Sequence, residues 1–461
     1  MISNAVVTAM LPEHLLLLGI VLLVGIEIVG RWQRAAIAVA VLCVGAAAVA
    51  ASYLSLTGYS AAPFAGQFSV DPSTLFAKAM VLALALPVLL ISREEFADGE
   101  FAILLLSSLY GVCLMQSSDS FLTLFLGLEI MSLPVYALVL LAYRRTQSAE
   151  AALKYLVLGG TASATFLMGV SLLYGGSGSM SITTFSNALG STDNMARAAA
   201  VLVILAFFLK GAIVPFHTWA PDAYEGGSVP TTAYMATIVK AAVLLAVVRL
   251  FGKATLATPM VELVAVLPLA SIIWGNLAAM RQPSLRRMIA YSSIAHAGYL
   301  FLALLGDPAG RLQSVAFYLL AYGVLNILTF AALPPAVGDK ERDLLENLKG
   351  LFHRSPFAAL MIGIAMLSLA GIPPFPGFVA KFLIFKNVMA AGYNAYAVIG
   401  LVGSYLGIYF YLRVIQFMFM SPDAPIEPDR EPHRLALTAS MACLVVALLV
   451  SVFPGWVIAR F

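Results

Sequence analysis

Apolar runs of bilayer-crossing length recur about fourteen times along this chain, and no polar stretch between them is large enough for a soluble domain. A hydrocarbon core ~30 Å thick takes about 20 residues of α-helix to cross. Within it, backbone amides must find their partners inside the helix or in a closed barrel. The weak apolar–polar alternation of a barrel is absent, so the pattern predicts an all-α polytopic membrane protein. The runs cover 12–30, 34–55, 74–92, 101–117, 120–142, 151–174, 196–220, 230–251, 260–279, 286–305, 313–334, 356–390, 395–420 and 435–456. Only 11% of residues are charged, against about 25% in soluble domains. Residues 1–461 therefore read as one integral membrane domain. The net charge of +3 is too small to suggest a nucleic-acid partner.

The first basic residue, Arg31, follows the first run, so 12–30 reads as a retained span and not as a secretory signal. Cys43, Cys113 and Cys443 lie far apart in apolar runs and form no C-x-x-C pair. That argues against structural disulfides, an iron–sulfur cluster or a metal site. The loop GGSGSM lacks the strand–turn–helix context of a phosphate-binding loop. The longest polar connection, Gly338 to Ser355, contains DKERDLLENLKG and predicts a short surface helix. Loops after odd-numbered spans carry fourteen of the 26 Lys and Arg residues, and the opposite side carries six. The positive-inside rule then makes the odd-to-even loops cytoplasmic and puts both termini on the other side.

Five ionisable residues stand deep inside apolar runs: Glu129, Lys210, Lys240, His296 and Lys381. A lysine or acid at mid-membrane costs roughly 2.5–3.5 kcal/mol on insertion scales, and such groups mark functional pathways by default. Proton transfer suits them. Desolvation disfavours the charged forms of both lysine and glutamate, and an intact Glu–Lys pair opposes that shift. Separating the partners would load or unload a proton. The bland alternative is a static buried ion pair. Lys154 has Glu150 four residues before it, which is also a favourable local helix pair. His296 has Ser292 and Ser293 beside it and also fits a satisfied core residue. Glu27, with Arg31 four residues on, reads as a local salt bridge, and Lys78 and Arg413 read as snorkelling to the interface.

Proline marks two of the charged spans. Pro215 follows Lys210, while Pro373, Pro374 and Pro376 precede Lys381. Breaks of this kind are tolerated where freed backbone groups face protein or water. Paired broken helices in two halves point to a transporter's midplane pathway. Five spans separate them, so a five-helix repeat would be inverted: spans 4–8 (101–251) and spans 9–13 (260–420).

The stretches LGLEIMSLPVYAL, AEAALKYLVLGG, LKGAIVPFHTWAPDAYEG, RRMIAYSSIAHAGY and GIPPFPGFVAKF resemble the antiporter-like membrane subunits of respiratory complex I. They occur in order and cover nearly the whole chain. Tyr224 in PFHTWAPDAYEG, where the L and M branches usually carry histidine, resembles the N branch. So does Lys381, where the M branch typically carries glutamate, and so does a chain without the lateral helix of the L branch. The resemblance implies a proton-translocating subunit of NADH:quinone oxidoreductase in the bacterial inner membrane, with periplasmic termini. It implies Glu129 paired with Lys210, Lys240 as central relay, and Lys381 leading to the periplasmic exit. Lys154 and His296 match further relay positions. It implies no cofactor in this chain; NADH, flavin, iron–sulfur clusters and quinone would belong to partner subunits. Neighbouring antiporter-like and small membrane subunits are the implied partners. A cation/proton antiporter assembly, a membrane-bound hydrogenase-type complex and a static scaffold are the competing readings.

Overall fold

The computed structural model describes residues 4–30, 35–96, 99–142, 146–335, 343–421 and 434–461. After the short α1 (Asn4–Ala9), α2 (Leu11–Val29), α3 (Ala36–Leu56), α4 (Pro72–Ser92), α5 (Glu100–Gln116), α6 (Phe121–Leu141) and α7 (Thr146–Ser177) follow in order. The short α8 (Thr183–Leu189) leads to α9 (Asn194–Gly211), α10 (Trp219–Gly226) and α11 (Val229–Tyr234). A π-turn at Met235–Val239 joins α11 to α12 (Lys240–Phe251). Then come α13 (Thr258–Ala279), α14 (Leu285–Leu302), α15 (Pro308–Ala331), α16 (Leu351–Arg354), α17 (Pro356–Ala370), α18 (Pro376–Ala390), α19 (Asn394–Phe419), α20 (Arg434–Val452) and α21 (Pro454–Ile458).

Among the described residues, twelve helical segments are long and apolar enough to cross a membrane. Adding α5, and taking α17 with α18 as one broken crossing, gives the same number of crossings as the apolar runs predict. Among the described residues the one sheet is a two-stranded antiparallel hairpin, β1 (Ala61–Phe64) and β2 (Phe68–Val70), which the sequence reading had missed.

Burial sorts the helices into layers. Nearly every residue along the central stretches of Val229–Phe251, Leu285–Leu305 and Pro308–Ala331 is buried, whereas most of α2 is not. An all-round apolar helix with most positions buried belongs at the centre of a bundle. Peripheral helices show Val21, Leu42, Leu153, Val402 and Val452 on outward faces, as lipid-facing helices should. Close approach in the centre depends on Gly275: a Cβ there would stand 2.7 Å from Ala295 N, so its absence lets α13 lie against the turn of α14 that carries His296.

Both predicted breaks are present, and each differs in detail from the sequence reading. α9 stops at Gly211, ahead of Pro215, because Ala212 turns left-handed (φ 58°). The groups freed there are satisfied within the protein: Val214 N–H donates to Ser271 Oγ at 2.8 Å, and Trp219 Nε1 donates to Leu209 O at 2.9 Å. In the second break α17 ends on Gly371 (φ 87°), and Gly377 N–H donates to Ser368 Oγ at 3.1 Å. Pro373 and Pro374 lie in the break itself. Pro376, which the sequence places among the helix breaks, instead opens α18, at a position where a missing N–H costs nothing.

Three other expectations need correction or placement. Among the described residues of the connection Gly338 to Ser355, 343–350 forms turns, and the short helix is confined to Leu351–Arg354, just after DKERDLLENLKG. The turns hold because Asp343 is buried against Arg286 (Nε to Oδ2, 2.8 Å) and the chain bridges Ser284 to Leu344. Arg286 and its bonds outweigh the opposing effect of burial and hold the Asp343 carboxyl below its usual range. The Glu27–Arg31 pairing lies outside the described residues, because Arg31 does. Lys78 does not snorkel: it is fully buried and bonded to Glu13 Oε1 at 2.5 Å.

Candidate functional site

The first half of the site is an acid–amine pair. Glu129 sits mid-way along α6, and Lys210 in the last turn of α9, one residue before the break. Lys210 Nζ lies 3.6 Å from Glu129 Oε1. It also bonds Ser132 Oγ at 3.3 Å and Tyr136 OH at 3.4 Å. Ser132 and Tyr136 follow Glu129 at three and seven residues, so all three share one face of α6. Ser163 of α7 donates its hydroxyl to Glu129. Tyr155 stacks on Trp219 with centroids 4.3 Å apart, and Tyr136 meets Tyr155 edge-on. The aromatic column thus links the Lys210 contacts to the indole that closes the break.

Lys240 occupies the centre. It is the first residue after the π-turn, and its helix is flanked by buried neighbours on every side. Extra residues of this kind inside α-helices often occur at functional sites. Lys240 Nζ donates to Ser293 O at 2.5 Å and also bonds the Ser293 hydroxyl. Ser293 Oγ is shared with Tyr224 OH at 3.2 Å. Among the described residues no carboxylate lies within ion-pair distance of Lys240.

His296 stands one turn along α14 from Ser293. Its Nε2 faces Tyr411 OH at 3.0 Å and its Nδ1 faces Tyr318 OH at 2.7 Å. Tyr411 OH continues to Ser292 Oγ at 2.5 Å. Tyrosine rings bridge the histidine to both lysines. Tyr322 lies 4.6 Å from the His296 ring and 5.7 Å from Lys240 Nζ; Tyr299 lies 5.6 Å from His296 and 5.4 Å from Lys381 Nζ.

Lys381, on α18, turns back across the second break and donates to Ala370 O at 2.9 Å. Gly371 makes room: a Cβ there would stand 3.0 Å from Lys381 Cδ. The helix-ending carbonyl that the break frees is therefore the one the lysine uses.

Of the residues singled out in the sequence, the structure groups Glu129 with Lys210, and Lys240 with His296 and Lys381. Among the described residues no side-chain hydrogen bond joins the two groups. Lys154 belongs to neither. It lies half-exposed, 2.7 Å from Glu150 and 2.8 Å from Asp222, in a network with Arg287 and Glu225. Burial alone would raise the Asp222 carboxyl, but Lys154 and Arg287 hold it below its ordinary value. Sequence reasoning missed Ser132, Tyr136, Ser163, Tyr299, Tyr318 and Tyr411. Their helical spacing from a charged residue was the available signal for the first two only.

A helical membrane bundle with two broken helices and buried lysines at its centre defines an ion-translocating membrane subunit of the antiporter type. The comparisons agree. A family described as NADH:quinone oxidoreductase/Mrp antiporter, transmembrane, matches residues 118–407. A NADH-quinone oxidoreductase subunit N from Pelobacter propionicus is 37% identical over 454 residues, 97% of each chain. A chain of respiratory complex I from Thermus thermophilus, solved with bound aureothin, superposes with a TM-score of 0.84 at 34% identity, covering 97% of this chain and 98% of that one. A chain of the Mrp complex from Dietzia superposes equally well (TM-score 0.84) at 22% identity, covering 98% and 96%, which is a likeness of fold alone. The chain belongs to the NADH-quinone oxidoreductase subunit N family.

Proposed function

We propose that this chain carries protons through Glu129, Lys210, Lys240, His296 and Lys381 in response to electron transfer in partner subunits. The observation that carries this reading is the buried series Lys240–Tyr322–His296–Tyr299–Lys381, in which a histidine is held between two amines with hydroxyls on both ring nitrogens. Amines, imidazole and hydroxyls can each accept and donate protons. The Glu129–Lys210 pair would load at the first break, and Lys381 would release at the second. Segments 101–251 and 260–420 would be the two inverted repeats. NADH, flavin, iron–sulfur clusters and quinone would be held by partners. The chain would sit in a bacterial inner membrane with both termini periplasmic.

The fold shared with the Mrp complex keeps a cation/proton antiporter subunit as the second reading. Intact-complex purification separates the two: recovery with NADH-oxidising subunits supports the first, and recovery with antiporter subunits alone supports the second. The relay is tested in inverted membrane vesicles with Lys240→Ala, after checking that the complex assembles at normal levels. Loss of NADH-driven acidification is the expected result. Normal acidification and NADH turnover would leave the lysine as a static structural charge.

A further inference from the structure

We propose that Glu13 and Lys78 form a second proton-exchanging pair, outside the row described above, which reaches the aqueous side through a cavity between α4, α12 and α15. The inference rests on the proton-carrying reading of the chain. Both side chains are fully buried, and Lys78 Nζ lies 2.5 Å from Glu13 Oε1. The other carboxylate oxygen, Oε2, is buried and has no hydrogen-bond partner among the described residues. Lys78 also lies over the Phe68 ring of the hairpin at 4.8 Å. Apolar residues of equal volume would join two helices as well as a buried ion pair or better, so fastening α2 to α4 does not call for ionisable groups.

The surroundings supply a route on both sides. A cavity of about 420 Å³ is lined by Asp71, Thr74, Ala77, Gln116, Arg249 and Arg311, among others. Such a volume, with several polar groups facing it, holds water. Arg249 fastens its rim, bonding Thr74 Oγ1 at 3.1 Å, Gln116 O at 2.8 Å and Asp119 Oδ1 at 2.6 Å. Thr74 precedes Lys78 by one helical turn, so the two share a face of α4. The cavity thus ends about one turn from the ion pair. On the inner side, α5 packs against both α2 and α4 and carries the buried Cys113 and Ser108. Tyr234 OH bonds Ser108 Oγ at 2.8 Å and immediately precedes the π-turn that delivers Lys240.

In the exchange step a proton leaves Lys78 Nζ as its N–H bond breaks, and an O–H bond forms on Glu13. The products are a neutral amine and a neutral carboxylic acid. The amine regains a proton from cavity water by way of the Thr74 hydroxyl one turn away, and the acid passes its proton inward to the Tyr234–Ser108 hydroxyl pair, restoring the carboxylate. Run in reverse, the same step releases protons to the cavity.

Lys78→Arg is the decisive variant, because it keeps the ion pair and the helix contact while a guanidinium does not release its proton. Intact complex carrying Lys78→Arg, the double variant Glu13→Gln/Lys78→Met, or Lys240→Ala would be compared in inverted vesicles for assembly and NADH-driven acidification. Acidification should fall at least about tenfold in both Lys78 variants, with assembly kept because no charge is left unpaired. If either assembled Lys78 variant pumps normally while Lys240→Ala does not, the pair is only a latch and the inference is overturned. If Lys240→Ala also pumps normally, the relay reading itself has failed.

Discussion

The two broken helices solve one problem in different ways. At the first, Lys210 has a carboxylate partner 3.6 Å away, supported by serine and tyrosine hydroxyls. At the second, Lys381 has, among the described residues, only the carbonyl of Ala370, freed by the break itself, and a tyrosine face. A pair can trade a proton internally and change its affinity when the partners separate. An amine held by a backbone dipole has no such partner, and on the proposed path its state would be set by what reaches it along the His296 chain. On the proposed proton path the first site would be switched and the second supplied.

The difference makes unequal demands on substitution. The largest effect is expected for Lys210→Met, which leaves Glu129 inside the bundle without its cation. Removing one member of such a pair costs about 3–5 kcal/mol, so the complex should assemble poorly, read on a native gel, and what assembles should not pump. Glu129→Gln/Lys210→Met should recover assembly without pumping. Lys381→Met orphans no acid, so assembly should stay at wild-type level while acidification falls at least about tenfold. Equal assembly defects in the two single variants would erase the distinction between the breaks.

Smaller effects sharpen the second site. Tyr411→Phe removes the hydroxyl between His296 Nε2 and Ser292 but leaves Tyr318 on the other ring nitrogen. A fall in pumping of a few-fold is expected, with unchanged assembly. Smallest of all is Lys154→Ala, since exposed pairs contribute only about 0.2–1 kcal/mol. Its signature is in pH dependence. The Asp222 carboxyl is held below its ordinary value, so its pairing is complete above the unfolded carboxylate pKa and is lost as pH falls through the folded one. Without Lys154 that loss should begin at higher pH, which carboxyl NMR or infrared titration would detect.

The sequence made the expensive charges legible. Glu129, Lys210, Lys240 and Lys381 stand in runs where polar groups are costly, and the prolines beside two of them mark breaks. Glu13 and Lys78 stayed hidden because each lies near the end of an apolar run, where snorkelling costs little, and 65 positions separate them. The hydroxyl partners of His296 were equally hard to see. A serine or tyrosine in a membrane helix can satisfy itself in several ways, and only the packing of α14, α15 and α19 selects one. The π-turn before Lys240 has no compositional marker, because Met235–Val239 reads as ordinary apolar helix. The polar connection reads as a short surface helix, yet burial of Asp343 on Arg286 sets 343–350 as turns and leaves the helix to Leu351–Arg354.

The central claim is that the buried lysines move protons and do not merely hold charge. Lys240→Arg tests it most directly, because arginine keeps the positive charge and does not deprotonate. In assembled complex the account predicts that NADH-driven acidification is lost with Lys240→Arg as fully as with Lys240→Ala. Acidification retained with arginine and lost only with alanine would contradict it, and would make Lys240 a fixed electrostatic post.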